Sequence, residues 1–189
     1  MTPASLSGGR QTSSPSTACG NPAKVCALYR LEGTSPLSTK PLQVPRIRFL
    51  ALCVFHHQGK ILVNVFDDPA TGQTLCRPLG GGVEFGELAQ DAIAREIHEE
   101  LGQPISDARL LGTLESLFTY AGKPGHEIVQ VYDARFDDAG LYEQDWLDGH
   151  ESDNSPFRAR WCNSADFARI GPLVPQGLQV MLRNLSLLD

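Results

Sequence analysis

The sequence predicts an α+β fold, with helices packed on a mixed sheet as an α-β-α sandwich. Three observations carry this. Apolar runs of strand length recur from Arg46 to Cys162. They alternate only irregularly with helical patterns, which are few. The two strongest helical patterns lie in mid-chain and at the C-terminus, and each has an apolar stripe on one face.

The elements follow in order. Order is expected to begin near Arg46. RIRFLALCVFHH is a long, mostly apolar run and reads as a buried strand. His57-Gln58-Gly59-Lys60 is a turn, and ILVNVF is the returning strand. TLCRPL is a short strand entering a turn at Gly80-Gly81-Gly82. A helix is expected over Glu87 to Leu101, stopped by Gly102. Its buried stripe is Ile93, Ile97 and Leu101, four residues apart. ARLLGTLESLFTY reads as a strand or two, and HEIVQVYDARF as another. The acidic stretch Asp137 to Pro156 reads as a loop with one helical turn. FRARWC is the last strand. Ser164 is expected to cap a short helix, SADFARI. VPQGLQVMLRNLSLL closes the chain as an amphipathic helix with Pro175 near its start.

Residues 1–42 are rich in Ser, Thr, Pro and Gly and read as a disordered, low-complexity tail, leaving 43–189 as the domain. The 189 residues, 41% of them apolar, suffice for one core and this tail. A net charge of −6 argues against general binding to nucleic acid or to an anionic membrane. No apolar run reaches membrane-spanning length, and the N-terminus lacks the apolar region of a signal peptide. The five cysteines are scattered without C-x-x-C spacing, which points to reduced thiols in a cytoplasmic protein. Cys53 and Cys162 fall in strand-like runs and read as small core residues.

The chemistry concentrates in GGVEFGELAQDAIAREIHEELGQ, from Gly81 to Gln103. A glycine-rich entry precedes a helix carrying Glu96, Glu99 and Glu100. Residues three and four apart share a helix face, so three carboxylates crowd one patch. Their repulsion becomes a binding site once a dication arrives. Oxygen ligands suit Mg²⁺ or Mn²⁺ rather than zinc. Asp91, Arg95 and Glu99 form a column at four-residue spacing, so Arg95 is expected to bridge the two acids and orient Glu99. Glu87 is either a stabiliser of the helix start or a ligand to metal-bound water.

Read from Gly81, the chain gives G-x5-E-x7-R-E-U-x-E-E-x-G, with U a bulky aliphatic residue. Glu87, Arg95, Glu96, Ile97, Glu99, Glu100 and Gly102 occupy the restricted places. The pattern resembles the Nudix box, departing from it at Gln103, where an aliphatic residue is usual. The resemblance implies a Nudix-type α-β-α sandwich over residues 46 to 188. It also implies metal-dependent hydrolysis of a diphosphate bond in a nucleoside diphosphate linked to another group. Glu96, Glu99 and Glu100 would hold Mg²⁺ or Mn²⁺ with a backbone carbonyl near Gly81. Glu99, Glu96 and Arg95 would be the catalytic set.

The general base stays open between a box glutamate and an acid from elsewhere, with Glu127, Glu143 and Glu151 as candidates. Arg77, just before the glycines, is the best placed phosphate clamp, ahead of Arg48, Lys123, Arg158 and Arg160. Phe85, Phe118, Tyr120 and Tyr132 are candidates for stacking on a base. His126 is a candidate for substrate contact or for packing. Tyr120 lies where relatives that cleave dinucleoside polyphosphates carry a tyrosine. The expected partner is a nucleotide-type small molecule of unassigned identity: the reading leans to a dinucleoside polyphosphate or a nucleoside triphosphate, with a damaged or excess nucleotide or a nucleotide sugar left open. Oligomeric state stays open between monomer and homodimer. A catalytically silent nucleotide sensor is the alternative, but such proteins often lose box acids, and every acid is present here.

Overall fold

The computed structural model describes residues 45–189, so the expectation for residues 1–42 lies outside the described chain. Two mixed or antiparallel sheets are flanked by helices on both sides, as expected for the α+β class. β1 (Arg48–Val54) is the organising strand. Leu50, Leu52 and Val54 enter one core, while Ala51 and Cys53 enter another. Alternation in a strand sends neighbours to opposite faces, so a run apolar at every position is buried on both.

The first sheet runs β5-β1-β7-β6, where β5 is Leu79–Gly82, β6 is Ile105–Tyr120 and β7 is Lys123–Phe136. β1 pairs parallel with β7 and antiparallel with β5. The second sheet runs β2-β3-β9-β8, with β4 added on β3. Its strands are β2 (His56–His57), β3 (Lys60–Asp67), β4 (Thr74–Arg77), β8 (Trp146–His150) and β9 (Pro156–Cys162).

Helix α1 (Ala89–Leu101) covers one core with Ala92, Ile93 and Ile97, all fully buried. Each such isoleucine contributes about 1.5–3 kcal/mol by leaving water. Gly102 ends the helix in the left-handed region at φ 67°, and its N–H bonds the His98 carbonyl. The opposite core is closed by Phe167 of α2 (Ser164–Ile170) and by Leu178 and Leu182 of α3 (Leu178–Asn184). Cys53, Cys76 and Cys162 are free and buried. Cys19 and Cys26 lie outside the described residues.

Several expectations need correction. Gly80, Gly81 and Gly82 form strand β5 and pair with Leu52, Ala51 and Leu50; they do not form a turn. Glycines are poor strand formers in isolation, and here the edge of β1 supplies the ladder. The turn falls instead at residues 83–88, so Glu87 precedes the helix. The acidic stretch after Phe136 holds a 3-10 turn, Ala139–Glu143, and also β8, which carries too few apolar residues to be recognised. Asn163, not Ser164, caps α2, exchanging hydrogen bonds with Asp166 in a capping box.

Candidate active site

Strand β5 and helix α1 build the site between them. Gly80 has φ 117°, and a Cβ there would lie 2.4 Å from the Ala51 carbonyl oxygen. Only glycine fits this close approach. Its N–H donates to Glu100 Oε2 at 3.1 Å. Gly81 matters for a different reason. Its backbone is ordinary, but a Cβ would stand 2.5 Å from the Glu96 carboxyl carbon. The missing side chain is the space in which the Glu96 carboxylate sits.

Arg95 holds the arrangement together. Nε and Nη2 donate to the two Glu87 oxygens at 2.8 and 3.0 Å. Nη1 donates to Glu96 Oε1 at 2.9 Å and to Glu99 Oε2 at 3.3 Å. Nη2 also reaches the Gly82 carbonyl at 3.0 Å. One guanidinium thus ties the helix to the end of β5 and to the turn between them. The expected Asp91–Arg95–Glu99 column is corrected at one end: Arg95 reaches Glu99 as expected, but the second acid is Glu87 and not Asp91, because the turn folds back and offers both carboxylate oxygens to the planar fork. This pairing draws the Glu87 carboxyl down to about 2, with the Arg95 hydrogen bond the largest cause. The same contacts raise Arg95 above its ordinary value.

Glu100 is the opposite case. It is buried and has no ion-pair partner among the described residues. Its carboxyl is pushed up to about 7: burial is the largest cause, Glu151 and Glu96 add to it, and the Gly80 N–H and Arg77 oppose. Among the described residues, no group of three His, Cys, Asp or Glu side chains already converges as a metal cage. Arg95 engages Glu96 and Glu99 instead. The donor set still fits a hard dication. It contains only carboxylate and carbonyl oxygens, it includes a buried acid with no ion-pair partner among the described residues, and Gly81 keeps one carboxylate against the backbone.

A cleft of about 640 Å³ opens on the far side of β5. Arg77 connects the two regions, since its Nη2 lies 3.5 Å from the Gly80 carbonyl. Of the residues singled out in the sequence, Arg77, Tyr120, Glu127 and Glu151 line this cleft, as do Arg48 and Phe118. Glu127 is buried and paired with Arg48, its register neighbour on β1. Asn64 donates to Glu151 Oε1 at 3.1 Å.

Other candidates fall elsewhere. Phe85 is fully exposed in the turn before α1 and does not line the cleft. Tyr132 is buried in the core under α1 and donates to Gln130. Glu143 lines a separate concavity with Trp146 and Trp161. Arg158 pairs with Asp148, and His126 with Glu115 at 2.8 Å. Asn64, Phe66 and Asp68 of this cleft escaped the sequence reading. Asn64 and Phe66 sit in an ordinary strand, and Asp68 in a turn-like DDPATG, so none carried a local signal.

Comparison with known proteins decides the family. The NUDIX domain model matches residues 44–183, most of the chain. The chain belongs to the Nudix family. Membership carries the enzyme class expected from the box, that of Nudix pyrophosphohydrolases. The solution structure of the E. coli ORF135 protein is similar to it, with a TM-score of 0.53 and 21% identity over 78% of this chain and 94% of that one. That likeness supports the Nudix fold. A MutT NUDIX hydrolase from Burkholderia pseudomallei is 22% identical over 73% of this chain and 97% of its own, with a TM-score of 0.49. A NUDIX hydrolase from Nitrosomonas europaea is 20% identical over 76% of this chain and 93% of its own, with a TM-score of 0.48. No helix among the described residues of this Nudix chain is long and apolar enough to cross a membrane.

Proposed function

We propose that this Nudix protein hydrolyses a diphosphate bond in a nucleoside triphosphate or a dinucleoside polyphosphate, using Mg²⁺ or Mn²⁺. The observation that carries this reading is the junction at Gly80. Its N–H bonds the buried Glu100, and its carbonyl faces the Arg77 guanidinium at the cleft wall. An acidic metal-binding edge and a cationic phosphate-binding wall therefore meet at one residue.

Glu96, Glu99, Glu100 and the Gly81 carbonyl would hold the metal. The bound ion supplies charge neutralisation on the phosphates and lowers the pKa of bound water. Arg95 orients Glu96 and Glu99. Arg77 offers its cation to the diphosphate. Glu99, half exposed, and Glu151, at the cleft, are the acids placed to take a proton from water. The free, buried thiols suit a reducing, cytoplasmic setting.

The test is turnover of a nucleotide panel with Mg²⁺ or Mn²⁺, read as phosphate released by an added phosphatase. Turnover lost in Glu99→Gln and Glu100→Gln is the expected result. Tight nucleotide binding without turnover under either metal would favour the silent sensor.

A further inference from the structure

The cleft has two chemically different ends. One holds Arg77 and Glu151 beside the acidic edge. The other is aromatic, with Phe66, Phe118 and Tyr120. The Tyr120 ring meets Phe66 edge-on, with centroids 6.0 Å apart. The Phe118 ring lies across from Gly125, its register partner on β7. A Cβ on Gly125 would stand 2.4 Å from Phe118 Cζ, although Gly125 has no left-handed backbone to explain the glycine.

Asp68 closes this end. It is buried, follows β3 of the second sheet, and meets no cation among the described residues' ion pairs. Its Oδ1 accepts from the Ala70 N–H and from the Ala121 N–H, both at 2.9 Å. Its Oδ2 accepts from the Thr71 hydroxyl at 3.0 Å. Ala121 belongs to the tight turn between β6 and β7 in the first sheet, where Ala121 and Gly122 have φ 52° and 71°. Asp68 thus clasps the turn after β3 of one sheet to the turn after β6 of the other, beside Tyr120 in the cleft wall. These hydrogen bonds hold the carboxyl below its ordinary value, the Ala70 N–H being the largest cause.

We propose that the Phe66–Phe118–Tyr120 end of the cleft receives the planar base of the nucleotide, and that Asp68 is a positioning residue that sets its width. The proposal rests on the reading of this cleft as the substrate site. Aromatic faces and edges attract a flat heteroaromatic ring, and stacking on one is worth about 1–3 kcal/mol. Such an interaction needs the walls held at a fixed separation. A buried carboxylate fixed in the β3–β4 turn by the Ala70 N–H and bonded across to the β6–β7 turn by the Ala121 N–H supplies that, and Gly125 leaves the room in which Phe118 lies.

The test is calorimetric binding, with Mg²⁺, of the α,β-methylene analogues of ATP, GTP, CTP and UTP. Methylenediphosphonate serves as the base-free probe. The analogue that the wild type binds best should bind about ten-fold more weakly to Asp68→Ala and to Gly125→Ala. Methylenediphosphonate affinity should stay unchanged, and Asp68→Asn, which keeps one acceptor oxygen, should recover most of the loss. Equal weakening of both probes would overturn the proposal, as would no change in either. A wild type that binds every analogue no better than methylenediphosphonate would also overturn it. If Asp68→Ala does not fold, Gly125→Ala and Asp68→Asn carry the same comparison. The turnover assay on wild type separates the two readings. Base-dependent binding without turnover sinks the hydrolase and keeps the clasp, whereas turnover with unaltered variant binding does the reverse.

Discussion

Glu96 occupies the space that a side chain on residue 81 would fill. With a Cβ at Gly81 only 2.6 Å from either Glu96 oxygen, the helix carboxylate rests directly on the backbone of β5. Gly81→Ala is therefore expected to displace Glu96 and weaken metal binding 10–100-fold, roughly the cost of disturbing a ligand's supports. The measurement is the Mg²⁺ concentration giving half-maximal turnover. An unchanged value would mean that Glu96 does not need that position.

Arg95 spreads one planar fork over Glu87, Glu96, Glu99 and the Gly82 carbonyl. Lysine cannot reproduce the two parallel bonds to Glu87. Arg95→Lys should lower kcat by about 10–100-fold while leaving the fold intact by circular dichroism. Full activity in this variant would reduce Arg95 to a surface ion pair.

Loss of a metal ligand should cost more. Glu99→Gln and Glu100→Gln are each expected to lower kcat at least about 10²-fold. A smaller effect at Glu99 than at Glu151→Gln would move the proton-accepting role to the cleft acid.

Glu100 also makes a stability prediction of definite sign. Its carboxyl titrates at about 7 in the folded chain against 4.5 ordinarily, so the folded state binds the proton more tightly. Its contribution is complete below about pH 4.5 and is lost as pH rises through 7. In EDTA at pH 8, Glu100→Gln should be more stable than wild type by on the order of 2–3 kcal/mol in urea unfolding. Mg²⁺ should raise the wild-type midpoint and leave the variant's nearly unmoved. A variant less stable than wild type at pH 8 would contradict the burial argument.

Glu87 behaves oppositely. With its carboxyl at about 2 against 4.5, its pairing with Arg95 stabilises the fold above pH 4.5 and is lost as pH falls through about 2. Glu87→Gln should flatten that part of the acid-unfolding curve. Superimposable curves for variant and wild type between those limits would rule the pairing out as a source of acid stability.

The box was legible because its spacing is local. Residues three and four apart on a helix share a face whatever surrounds them, so Glu96, Glu99 and Glu100 could be grouped from the chain alone. The buried strand at Arg48–Val54 was legible too, since a run apolar at every position has few alternatives. β8 was not, because Trp-Leu-Asp-Gly-His becomes a strand only through its pairing with β9.

The sequence by itself determined the class of chemistry: which carboxylates share a helix, which arginine accompanies them, and the family they place the chain in. Only the tertiary structure decided the partners. It turned Arg95 to Glu87 rather than Asp91, made β5 a strand, left Phe85 in solvent and brought Asp68 to Ala121. The physical reason is range. Helical periodicity acts over one or two turns, whereas these contacts join residues that meet only when two sheets and a folded-back turn are packed together.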